Sequence, residues 1–212
     1  MNKLFNQLNV VLAAALLITT LFGFAMISGS SRLPAHWDLF CVVDRFAPRN
    51  QVLFVLPLFA ALAAALLAGV ERVIERKATA DISRQFSLVL SVILALFTAI
   101  QAMMVLIGMG HSIDVPRIIS IVSALGLIAI GNILPKSSPR TVSWPRSLNE
   151  PGRQYRLQKI TGISMMLGGV VLLVAALTFE SSKWLATLQI GCYLVPAVSG
   201  ALYAAFARSK TP

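Results

Sequence analysis

The sequence predicts an all-α fold: an integral membrane bundle of six transmembrane helices in a single domain, residues 1–212. Three observations carry that expectation. Of 212 residues, 57% are hydrophobic and only 12% charged, about half the charged share of a soluble domain. The apolar residues gather into six runs, each close to the roughly 20 residues a helix needs to cross the hydrocarbon. The basic residues alternate in density from one connection to the next, as membrane orientation requires.

The first run, near 9–29, follows Lys3. It is longer than the apolar core of a signal peptide and no small-residue cleavage site follows it, so it is expected to be a retained span. Residues 30–50 form a polar connection, expected to be a loop. It is followed by runs near 51–70, 86–109, 116–134, 160–179 and 184–207. Pro57 and Pro196 fall inside the second and sixth and should bend them. Ala61, Ala65 and Gly69 recur at packing spacing on the second helix, and Ser164 with Gly168 on the fifth, where small residues let membrane helices approach. Residues 71–85 read as solvated extensions of their neighbouring helices. Residues 135–159 read as a basic loop rich in Pro, Ser and Arg, extended between Pro145 and Pro151.

Charge sets the orientation. Lys3, Arg72, Arg76, Lys77, Arg84, Lys136, Arg140, Arg146, Arg153, Arg156, Lys159, Arg208 and Lys210 fall on one side, thirteen of the eighteen basic residues. Arg32, Arg45, Arg49, Arg117 and Lys183 fall on the other. The positive-inside rule therefore puts both termini in the cytoplasm and residues 30–50 outside. The net charge of +10 is accounted for by this asymmetry and calls for no nucleic acid.

Several function classes lose support. No ionisable side chain lies deep in any run; Gln101, Gln189 and the Thr19–Thr20 pair are the main polar groups there. Pumps and ion-coupled transporters use intramembrane ionisable groups. A small-solute transporter would rest on Gln101 and Gln189 alone. There is no Gly-rich phosphate loop, nucleophile elbow or other cofactor motif. Cys41 and Cys192 are too few for a disulfide framework.

The outer connection holds the chemistry. His36, Asp38 and Asp44 are expected on the outer face together with His111, Asp114 and Glu180. One reading pairs the acids with Arg32, Arg45 and Arg49, Asp44–Arg45 shaping the loop. Another makes His36, Asp38, His111 and Asp114 ligands of a divalent metal in a membrane hydrolase, since imidazole and carboxylate suit zinc. Trp37 and Phe40 suit the headgroup level and could equally anchor a peptide.

Residues 34–49 resemble the extracytoplasmic motif of the SdpI-like family of membrane immunity proteins. Pro34, His36 and Trp37 match its Pro-x-His-Trp-Asn, with Asp38 in place of the amide. Asp44, Arg45, Phe46 and Arg49 match the Asp-Arg-aromatic group and the basic residue that follow. Cys41 stands where the family has Gly. Gly131, Asn132, Leu134, Pro135 and Lys136 resemble a second motif, Gly-Asn-x-Leu-Pro-Lys. Beyond it the chain departs, with Ser143-Trp144-Pro145-Arg146 for the family's Arg-Thr-Pro-Trp-Thr and no His after Lys159. The resemblance implies a bacterial inner-membrane protein, without cofactor or catalysis, that protects against or senses a peptide toxin. Pro34, His36, Trp37, Asp38, Asp44, Arg45, Phe46 and Arg49 would bind the peptide. Lys136, Arg140, Arg146, Arg153 and Arg156 would meet a cytoplasmic transcriptional repressor or anionic lipid, near which each basic residue contributes about 1 kcal/mol.

Overall fold

In the computed structural model, which describes residues 6–38, 42–75, 80–136, 151–179 and 182–209, six helices run α1 Gln7–Met26, α2 Arg49–Glu75, α3 Ala80–Gly108, α4 Val115–Ile133, α5 Pro151–Thr178 and α6 Ser182–Ser209. All six are long and apolar enough to cross a membrane. The chain is a multi-pass membrane protein with an all-α bundle. α1, α2 and α3 pack as one group and α4, α5 and α6 as another, joined where α3 meets α4.

Two expectations need correction. Residues 30–50 are not an irregular loop: β1 (Arg32–Trp37) and β2 (Val43–Pro48) pair antiparallel as a hairpin capping one end of the bundle. The fifth helix starts at Pro151 rather than near 160, so residues 151–159 leave the basic loop. Proline is well suited to a first helical position, where its missing N–H is not needed. Buried Gln154, Leu157 and Gln158 then hold this first stretch of α5 in the bundle. Residues 137–150, including the segment from Pro145 to Glu150 expected to be extended, lie outside the described residues. α2 and α3 reach Glu75 and Ala80, as helical continuations should.

Caps define the ends. The Asn6 side chain accepts from the Asn9 amide at 2.9 Å, and Asp114 accepts from the Arg117 amide at 3.2 Å with Pro116 following in the first turn. Between α3 and α4 the chain turns through Gly110 at φ 90°, a left-handed conformation that glycine adopts without Cβ strain.

Inside the bundle the few polar side chains are held by hydrogen bonds, since lipid offers none. Asn9 Nδ2 on α1 donates to Ser87 O and Ser87 Oγ on α3, at 3.1 and 3.0 Å. Gln189 on α6 bonds Ser123 and Ser120 on α4, at 3.1 and 3.3 Å. Thr19, Thr20, Thr98 and Ser164 bond back to the carbonyl four residues earlier, which makes hydroxyls tolerable in a span.

Small residues pack where α4 meets α5. A Cβ on Gly131 would lie 2.6 Å from Gly162 O, and one on Gly162 would lie 2.7 Å from both Gly131 O and Pro135 Cδ. The Gly-x-x-x-Pro spacing at 131–135 is thus a helix crossing. On the fifth helix, Ser164 bonds Ser199 of α6 at 3.2 Å and Gly168 faces the Cys192 backbone, as the spacing predicts. The stripe Ala61, Ala65 and Gly69 behaves otherwise: all three face outward, and nothing lies within 4 Å of a Cβ placed on Gly69.

Candidate functional site

The hairpin is docked rather than free. Leu33 is buried in a cluster with Ile27, Leu53, Met103, Met104 and Val105, against which half-buried Trp37 also packs. The aromatic ring therefore seals the hairpin to the bundle, and only part of it remains for a ligand. Arg49 reinforces the joint. Its guanidinium donates to Phe24 O at 3.1 Å and to Ile27 O, and lies 5.1 Å from the Phe24 ring centroid. These carbonyls belong to the C-terminal end of α1, which has no intrahelical donors left and carries partial negative charge. Arg49 is thus a clamp between α1 and α2. Phe54, one turn on, tilts against Phe24 with centroids 5.0 Å apart.

The ladder is irregular, and the irregularity shapes the face. Arg49 N donates to Ser31 O at 3.0 Å, so the Leu33–Ala47 pair carries ladder bonds, while Arg32–Pro48 and Pro34–Phe46 do not. Both prolines thus sit where no N–H is needed within the pair, and each removes a donor from an outer edge. Pro34 is buried. Register shifts then leave Ala35 and Asp44 without cross-strand partners. Such bulges redirect side chains, and here Asp44 Oδ1 lies 2.7 Å from His36 Nδ1.

This pair corrects the expected Asp44–Arg45 bridge: Asp44 turns to His36, and Arg45 lies opposite His36 in the ladder with its side chain exposed. An ionised carboxylate only accepts, so the bond needs the proton on Nδ1, and a neutral imidazole then keeps its lone pair on Nε2. The His36 and Asp44 side chains are 56% and 48% exposed, so both remain reachable. Phe46 is exposed, and its carbonyl accepts from Arg32 at 2.9 Å. Asp38 closes the turn, accepting from Val42 N at 2.8 Å while its own N–H meets Val42 O at 2.9 Å. Phe40 and Cys41 lie outside the described residues.

Outside the hairpin the expected groups have other roles. His111 is exposed on the α3–α4 turn. Asp114 caps α4 and stands 3.3 Å from Arg117 Nε, while Arg117 Nη2 donates to Phe179 O beyond the end of α5 at 3.2 Å. Arg32, Arg49 and Arg117 all reach backbone carbonyls. Among the described residues, no three His, Cys, Asp or Glu side chains gather as a metal site; His36 and Asp38 sit on the hairpin, and His111 and Asp114 serve the α3–α4 turn. At the opposite end, Lys136 Nζ bonds Asn132 at 2.8 Å and is exposed, as is Arg156, while Arg153 is half-buried. Arg140, Arg146 and Glu180 lie outside the described residues.

Among the described residues the arrangement offers a shaped, exposed patch of mixed charge with one outward aromatic, Phe46. It suits recognition of a polypeptide by side-chain contacts. Compared with family models, with curated proteins and with solved structures, the chain matches none.

Proposed function

We propose that this chain is a non-enzymatic binding protein of the cytoplasmic (inner) membrane, which protects against or senses a peptide toxin through the hairpin 32–48. The observation that carries the reading is the docked hairpin itself. Leu33, Trp37 and Arg49 hold it against the bundle, while His36, Asp44, Arg45 and Phe46 stay exposed. A surface prepared before binding avoids much of the ordering entropy of association. The sequence resemblance to SdpI-like immunity proteins falls on these same residues and supports the same reading.

The excess of basic residues at the opposite end supports an outer position for the hairpin. Lys136, Arg153 and Arg156 then face the cytoplasm, where anionic lipid or a transcriptional repressor would meet them.

The test is survival of sensitive cells, with and without the protein, across a panel of membrane-active peptide toxins. The expected outcome is protection against one class, lost in His36→Ala and Asp44→Ala at equal membrane abundance. Protection undiminished in both variants would overturn the assignment to the hairpin, and no protection from any toxin would overturn the immunity reading.

A further inference from the structure

Pro57 has no N–H, so the carbonyl four residues earlier, Leu53 O, loses its helical partner. That carbonyl is not left bare. Gln101 on α3, fully buried, donates Nε2 to Leu53 O at 3.1 Å and to Thr20 Oγ1 on α1 at 3.1 Å. One side-chain amide therefore joins three helices where α2 lacks its own bond. Gln101 Oε1 has no partner among the described residues, an unfavourable arrangement that shape-filling alone does not call for.

The two halves of α2 differ on either side of this point. The half next to the hairpin is fixed by Arg49, by buried Leu53 and by Phe54 on Phe24. Beyond Pro57 the helix packs through buried Ala60, with Ala64, Leu67 and Ala68, on the cluster of Leu16, Leu90 and Leu94, yet a groove remains between it and α1. Val10 and Ala14 of α1 face Pro57 and Ala64 of α2 across a groove of about 410 Å³, floored by Leu90 and Leu94 of α3. Only 11% of α2's membrane-spanning window is buried, the smallest share of the six spans.

We propose that α2 is a proline-hinged arm: it pivots at Pro57 on the Gln101 amide, and its half beyond Pro57 swings into the α1–α2 groove. Because β2 runs directly into α2 at Pro48–Arg49, the fixed near half is continuous with the hairpin, and the swing is confined to the half beyond Pro57. The inference rests on the architecture and not on the identity of any ligand. Its failure would leave the hairpin reading untouched, and loss of the hairpin reading would leave the arm.

The test is a spin-label distance measurement on the full chain in lipid nanodiscs. Labels go on Val10→Cys and Ala64→Cys, with Cys41 and Cys192 replaced by Ser and Ala. The expected result is a distribution containing a short-distance population. Gln101→Leu should enlarge it about threefold, the factor a typical transmembrane side-chain hydrogen bond is worth. Pro57→Ala restores the donor to Leu53 O and should leave one narrow distribution. The same distribution in all three proteins would overturn the proposal. A second pair, Leu125→Cys with Val170→Cys, both exposed on α4 and α5, should stay constant and report an intact fold. If it shifts, unfolding decides: Gln101→Leu should destabilise the wild-type background more than the Pro57→Ala background, and an equal effect in both would overturn the pivot.

Discussion

Replacing Arg49 with Met removes the clamp while keeping the length of an apolar stem. Arg49 donates to Phe24 O and Ile27 O and lies 5.1 Å from the Phe24 ring. Hydrogen bonds to a charged group contribute roughly 1.5–3 kcal/mol each. Arg49 is only half-buried, so water recovers much of this in the variant, leaving about 1.5 kcal/mol for the two bonds together. The ring contact adds about 0.5 kcal/mol. The joint between α1 and the hairpin should therefore weaken by about 2 kcal/mol, roughly thirtyfold in the opening equilibrium. Hydrogen exchange of the Arg49 and neighbouring hairpin amides reads this opening, since Arg49 N is bonded to Ser31 O. Arg49→Lys should recover less than half, because an ammonium lacks the planar fork. Exchange within twofold of wild type in Arg49→Met would refute the clamp.

Gly162→Ala should destabilise the α4–α5 crossing by about 1–3 kcal/mol, because its Cβ meets backbone and Pro135. Gly69→Ala should stabilise α2 by up to about 1 kcal/mol, since its Cβ enters open space; unfolding of both variants in mixed micelles compares them. Asp114→Ala should lower stability by about 1 kcal/mol through loss of the α4 cap, and hydrogen exchange at the Arg117 amide would show the cap opening. Asn9 also accepts from Ser91 Oγ, yet Asn9→Leu should cost only about 1 kcal/mol in the same unfolding assay, because Ser91 already bonds back to Ser87 O at 3.0 Å.

The six spans were legible because lipid imposes a single demand, long apolar runs, and the sequence meets it without ambiguity. The hairpin was not. Its strands are six residues each, they carry Pro34 and Pro48, and the bulges at Ala35 and Asp44 break the alternation that marks a strand. The same bulge hid the His36–Asp44 pair, since regular alternation would set Asp44 on the face opposite Arg45's partner. Asp44 beside Arg45 in sequence suggested a bridge that extended backbone does not favour, because successive side chains point apart.

Other signals were visible but incomplete. Pro57 identifies Leu53 O as an orphan by counting back four residues; that Gln101 answers it depends on how α3 packs against α2. The stripe at Ala61, Ala65 and Gly69 has helix-packing spacing, but among the described residues no helix packs on it: Ala65 and Gly69 are exposed, and Ala61 borders the α1–α2 groove. In contrast, Gly131 and Gly162 lie on different helices far apart in the chain, and no local spacing links them. The start of α5 was masked by Pro151, which reads as a breaker unless it is recognised as a first helical residue.

The most direct test of the proposed function is hydrogen exchange on the purified full chain with and without a membrane-active peptide toxin from the survival panel. Slowed exchange at the hairpin amides around His36 and Asp44–Phe46, reduced in His36→Ala, is the expected result. Slowed exchange confined to α1 and α2, with the hairpin unchanged, would contradict it.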